Sequence, residues 1–277
     1  MNRSTLTRRG FLAFSTLALG ASRARASAPS EALYQARTIV TGRRDETRIP
    51  GLQRCLPQVL VRVSGDQRLA AHPLLSELTK APEAAVKTSS FRDLYAFRPI
   101  RDEQGTRDRP YEMTVEYVPG KIDAILSRMG SKAWLADRPR LVVFLAVHHI
   151  GSQFLLSSMA DAGELMRESF KDAAWNAALE VVIPSDATLA RAALTVDSLP
   201  ATEPSALLPF VDTSVGQLPL LGTLDWSKEL LAWKARWRIA AGGKVHGWAI
   251  EGVNFDAAFR NGVLGAAQIL SGNGEPA

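Results

Sequence analysis

The chain has one cysteine, Cys55, and four histidines in 277 residues. A single thiol excludes an intramolecular disulfide, and the scattered histidines leave no zinc-type ligand spacing. Long apolar runs are also missing. Beyond the first 26 residues the longest wholly apolar stretch is 141–147, of strand length. A bilayer-spanning helix needs about 20 such residues. There is no G-x-S-x-G nucleophile elbow, no G-x-G-x-x-G turn and no Walker-type loop. The net charge of +5 belongs to the first 26 residues, which hold five arginines and no acid; the remainder balances 28 basic against 28 acidic residues. The balanced part gives no electrostatic case for a nucleic-acid partner or an anionic membrane.

The first 26 residues read as an export signal. A basic segment containing Arg8 and Arg9 precedes a short apolar region that begins Phe11-Leu12, and small residues then offer an A-x-A cut. Thr7-Arg8-Arg9-Gly10-Phe11-Leu12 resembles the twin-arginine motif, a receptor-read address rather than an anchor. Ser15, Thr16 and Gly20 dilute the apolar region, and Arg23 and Arg25 lie just before the cut; both features favour that route over general secretion. Cleavage is expected after Ala26, with Ala24 and Ala26 as the small residues. The alternative pair, Ala26 and Ala28, leaves Pro29 beside the cut. No cysteine lies nearby, so no stable membrane anchor is expected. The expected location is the periplasm.

The rest reads as α/β in two sub-domains, 27–135 and 136–277, the second with a mixed sheet ending in a β-hairpin and a C-terminal helix. In the first, residues 33–40 alternate as a strand. Apolar positions 52, 55, 56, 59, 60 and 63 mark one face of a helix, which Pro57 should kink or delay and Gly65-Asp66 should end. A short helix over 73–78, an exposed loop or hairpin over 92–110, a strand over 111–118 and a helix over 120–129 complete it. In the second, the unbroken run 141–147 predicts a strand covered on both faces. A helix over 161–179, a buried strand over 180–183, a proline-marked loop over 199–209 and strands over 218–224, 230–240 and 244–251 follow. The last helix runs over 255–270, with Asn254 as its N-cap.

Gly242-Gly243 is a two-residue hairpin turn. It pairs Ala241 with Lys244, Ile239 with His246, Trp237 with Trp248 and Ala235 with Ile250. Those apolar residues and Trp233 then share one face, while Lys234, Arg236 and Arg238 take the other, with Glu251 opposite Lys234. The terminal helix supplies a cover, so the tryptophan face reads as core rather than a ligand platform.

Few side chains suggest a site. His148 and His149 end a buried strand, where open α/β sheets often place ligands. Neighbours on a strand point to opposite faces, however, and no third ligand stands nearby. Trp175 lies opposite the apolar stripe of its own helix. It is therefore covered by the other sub-domain or exposed, and an exposed tryptophan would mark a partner surface. These three are the candidate partner or ligand surface. No catalytic residue, metal or cofactor is assigned.

Residues 59–66 (VLVRVSGD), 126–130 with Trp134, Arg138 and Pro139, the strand 141–147, Ile183-Pro184-Ser185-Asp186 and the Trp233–Trp237 strand resemble the DUF2066 family of exported bacterial proteins of unknown function. The chain departs from that family at Val215-Gly216-Gln217, where a Tyr-Gly-Ala-Asp-type segment is common. The resulting expectation is a non-catalytic periplasmic accessory protein that binds another envelope protein. The alternatives are a small-ligand binder or hydrolase with a site hidden from sequence, and an assembly factor for a twin-arginine-exported redox enzyme.

Overall fold

The computed structural model describes residues 31–96 and 109–276. The expected export signal, with Arg8, Arg9, Phe11, Leu12, Ala24 and Ala26, lies outside them, as does 97–108 of the expected loop. The architecture is α/β. A 3-10 turn over Glu31–Tyr34 leads into β1 (Gln35–Val40), and α1 (Asp45–Ser64) follows. The helix starts earlier than its apolar stripe suggests and runs through both Pro50 and Pro57. Asp45 and Glu46 suit the positive end of its dipole. Full burial of Leu52, Cys55, Leu56, Val59, Leu60 and Val63 outweighs the cost of about 3 kcal/mol for an internal proline. Gly65 closes it at φ 74°, its N–H donating to the Val61 carbonyl at 2.7 Å.

The short α2 (Leu75–Leu78) and β2 (Val86–Asp93) come next; nothing in the sequence pattern announced β2, whose positions are mostly exposed or half-buried. Then come β3 (Tyr111–Tyr117) and α3 (Pro119–Arg128). The three strands form an antiparallel sheet in the order β1-β3-β2. One of its faces, carrying Ala36, Val40, Met113, Val115 and Tyr117, packs with α1 and α3 into a core of its own.

The second sheet is built on β4 (Arg140–His149). Leu141, Val143, Leu145 and Val147 enter one core, and Val142, Phe144 and Ala146 enter another on the opposite face. That double coverage is why the run reads as continuously apolar. It is followed by β5 (Ser152–Leu155), α4 (Glu164–Ala177), β6 (Glu180–Val182) and α5 (Asp186–Arg191). The segment 199–209, expected as a loop, is largely 3-10 helix, over Leu199–Ala201 and Pro204–Phe210, and a further 3-10 turn covers Thr213–Val215. Then come β7 (Gln217–Ser227), β8 (Ala232–Ala241), β9 (Lys244–Val253) and α6 (Phe255–Leu270). The strand order is β5-β4-β7-β8-β9, with β6 also paired to β4; β4, β6 and β7 run parallel. The sequence pattern missed β5 and α5. It also made β6 a buried strand, whereas Glu180 is exposed and its neighbours half-buried.

α6 begins where expected, with Asn254 Oδ1 accepting from the Ala257 N–H at 2.8 Å. The final hairpin has the expected register: Ala241 faces Lys244, Ile239 faces His246, Trp237 faces Trp248, Ala235 faces Ile250 and Lys234 faces Glu251. Its tryptophan face is core beneath α6. A Cβ at Gly262 would meet the Trp237 indole at 2.5 Å, and Gly222 and Gly265 are equally close to Trp237 and Trp248. No helix among the described residues is long and apolar enough to cross a membrane.

Candidate functional site

Two regions combine unpaired chemistry with access to solvent. The first is the seam where β1 and α1 meet α4 and α6. Arg62, in the last turn of α1, is almost wholly buried and donates to the carbonyls of Leu33 (3.2 Å) and Ala32 (3.0 Å). Its guanidinium lies over the Trp175 ring, 4.4 Å from the centroid, and that of Arg37 does the same at 4.3 Å. Arg37 also forms an ion pair with Asp172 of α4. Trp175 is thus half-covered by Arg37 of β1 and Arg62 of α1, the covered alternative of the two open to it.

Arg138 fastens the same seam. It donates to the carbonyls of Arg62 (3.0 Å) and Val63 (3.2 Å) at the end of α1, to Ala177 (2.8 Å) and Ala178 (3.5 Å) at the end of α4, and to Trp134 (3.2 Å). A cation at two helix C-termini meets both negative dipole ends and satisfies carbonyls that have no helical partner. Burial depresses the Arg138 pKa to about 10, with Arg62 nearby adding to the effect. Burial also brings Arg62 to about 10, helped by Arg37. The tail adds a further tie, Asn273 donating to the Ser64 carbonyl at 2.9 Å.

Beside these contacts a groove of about 510 Å³ opens along the seam. Its apolar lining includes Ile39, Pro57, Val61 and Leu264; its polar lining includes Arg37, Gln58, Glu112, Asp172, Asn176 and Arg260. The Gln58 Oε1 is enclosed and has no hydrogen-bond partner.

The second region is the carboxyl end of β4 and β7, the edge at which open α/β sheets place ligands. His148 and His149 point to opposite faces, as strand neighbours must. His148 Nδ1 lies 2.8 Å from Asp225 Oδ1 on β7, but the alignment does not make a hydrogen bond. Asp225 is also paired with Arg236 at 3.2 Å. His149 stacks on Trp233 with centroids 5.2 Å apart, and meets Trp226 edge-on at 5.5 Å. The adjoining turns carry exposed apolar residues: Ile150 is 59% exposed, Leu230 48% and Leu231 77%. The backbone of Leu231 is left-handed, with φ 48°.

The structure therefore separates the three sequence candidates. His148 and His149 sit at the strand-end rim, Trp175 at the seam. Arg62 and Arg138 entered the sequence reading only through the family resemblance, and the groove not at all. The available signal was Arg62 itself, a charge inside the apolar run Val59-Leu60-Val61-Arg62-Val63. Among the described residues no three His, Cys, Asp or Glu side chains gather as a metal site.

Comparison with known proteins corrects the expected family. The family that matches is described as a domain of unknown function (DUF8605), over residues 28–135, and not DUF2066. The features that suggested DUF2066 were helix ends running into buried strands, patterns that any α/β chain needs. Several of them, at 141–147, 183–186 and 233–237, lie outside the matched segment altogether. No curated protein and no solved structure matches the chain.

Proposed function

We propose that the protein is an exported, non-catalytic accessory protein that binds another envelope protein through the strand-end rim. Leu231 carries this reading. A bulky residue in left-handed backbone costs roughly 1–2 kcal/mol that Gly or Asn at the same turn would avoid. Retaining an exposed leucine there, next to Leu230 and near Ile150 and the His149–Trp233 stack, favours a contact made by its side chain. The balanced charge of the chain beyond residue 26 suits an apolar contact rather than electrostatic capture. Export rests on the Arg8-Arg9 motif and the cut after Ala26.

Two measurements test the reading. Leu231→Asn relieves the backbone strain, so it should leave the melting temperature equal or higher. It should also remove the partner band seen when intact cells are crosslinked with the wild-type protein. An unchanged crosslinking pattern in Leu231→Asn would count against the rim. Arg8→Lys with Arg9→Lys should leave uncleaved precursor in the cytoplasm, and normal processing of that double variant would overturn the export route.

A further inference from the structure

We infer that the seam groove is a binding site for a small apolar molecule bearing one carboxylate, which its acid group anchors to Arg260. The groove shares no residue with the strand-end rim. Its volume of about 510 Å³ lies within the range of sites that enclose small ligands, and it sits between two packed units, where such sites recur.

The ligand class follows from which groups are already committed. Four charged side chains line the groove. Arg37 is taken by Asp172 and lies 3.8 Å from Glu112, and Glu112 is held again by Arg92 at 3.0 Å. Arg260, on α6, has no ion-pair or hydrogen-bond partner among the described residues, so the uncommitted charge is a single cation. A guanidinium binds a carboxylate through two parallel N–H···O bonds. The Gln58 Oε1 is enclosed without a partner, and the Asn176 amide makes no side-chain hydrogen bond among the described residues. The Asn176 amide NH2 can donate to a polar atom of the ligand. Pro57, Val61, Leu264 and Ile39 offer the apolar remainder a surface, and Ile39 is 60% exposed.

The competing ligand classes fit less well. A plain hydrocarbon would desolvate Arg260 with nothing in return. An ammonium would face the uncommitted cation. A doubly charged phosphate would call for a second free cation, and Arg37 is occupied.

The test uses the whole exported chain and sodium decanoate below micelle-forming concentrations, followed by calorimetry and thermal shift. Decanol and decylammonium serve as matched probes. Decanoate should bind saturably at one site and raise the melting temperature, while decylammonium should not. Arg260→Gln should weaken decanoate about tenfold, which is the loss of one charge-assisted contact, and should leave decanol unaffected. Ile39→Trp, which fills the groove from an exposed position, should abolish decanoate binding with the fold intact. Arg236→Gln, an arginine outside the groove, should change nothing. The inference is overturned if decanoate gives no saturable signal. Equal binding to wild type and Arg260→Gln, or undiminished binding to Ile39→Trp, overturns it equally.

Discussion

Trp237 and Trp175 are both held in place by neighbours, but Trp237 is packed against glycines and Trp175 against arginines. Between the six-stranded sheet and α6, Gly222 of β7 and Gly262 of α6 leave room for the Trp237 indole and nothing more. That core is fixed by shape. At the seam, Arg37 and Arg62 lie over the Trp175 ring while Arg62 and Arg138 feed backbone carbonyls. The seam is fixed by hydrogen bonds and charge. A shape-fixed core is sensitive to volume and indifferent to salt. A seam fixed by donors is sensitive to donor geometry. The difference also bears on function, because the groove opens at the seam, where the elements meet through polar ties.

The largest effect should come from the shape-fixed core. Trp237→Ala should cost about 3–5 kcal/mol in urea unfolding, a large part of the ~5–15 kcal/mol that stabilises a domain. Gly262→Ala should cost about 1–3 kcal/mol by overpacking. Combined with Trp237→Phe, it should cost less than the sum of the two single changes, because the smaller ring vacates the space that the new methyl needs. Strict additivity would show that the glycine contact is not tight.

At the seam, Arg138→Met should cost about 1–3 kcal/mol by stranding carbonyls of both α1 and α4. Arg138→Lys should recover little of this, since one ammonium cannot reach both helix ends. Full recovery by lysine would mean that charge alone holds the seam.

Cys55 offers a smaller, pH-dependent contrast inside the first core. Burial pushes its thiol up to about 12 from the ordinary 9.0. The folded pKa is raised, so the folded state keeps the proton when the unfolded chain has lost it. The stabilisation is complete below pH 9 and is lost as pH rises from 9 through about 12. Cys55→Val should therefore flatten the alkaline decline in melting temperature relative to wild type over that window. The native thiol should also resist disulfide reagents at pH 8 until the protein unfolds. Rapid labelling of the native state would show the thiol to be accessible.

Period and turn chemistry made the strands β3, β4, β8 and β9 and the helix α6 legible, because each has an apolar face or a strong cap. The strands β2 and β5 were not legible, since neither carries a buried apolar stripe: β2 alternates exposed and half-buried positions, and β5 has four residues. Pro57 did not delay the start of α1, because a local rule gave way to the burial of a whole helix face. The candidate sites were legible only in fragments. His148 and His149 are adjacent in sequence and could be suspected. The groove brings together residues from β1, α1, β3, α4 and α6, and no spacing rule connects Arg37 to Arg260.

The smallest expected effect is at Arg236, one residue from Trp237 on the same strand, and it sharpens the comparison most cleanly. Side chains alternate across a strand, so Trp237 enters the core and Arg236 faces out, with its side chain 68% exposed. Its pairing with Asp225 at 3.2 Å is a surface ion pair, screened by water and salt. Arg236→Ala should therefore change stability by no more than about 0.5 kcal/mol. That near-silence also tests the register. A slip of one residue along β8 would send Lys234, Arg236 and Arg238 inward and Trp233 and Trp237 to water, burying charges without partners. In a slipped sheet Arg236→Ala would be stabilising and Trp237→Ala nearly neutral. Measured side by side in urea, the two adjacent substitutions should instead differ by several kcal/mol, with Trp237→Ala the more costly. Equal costs would mean that the hairpin does not sort its two faces at all.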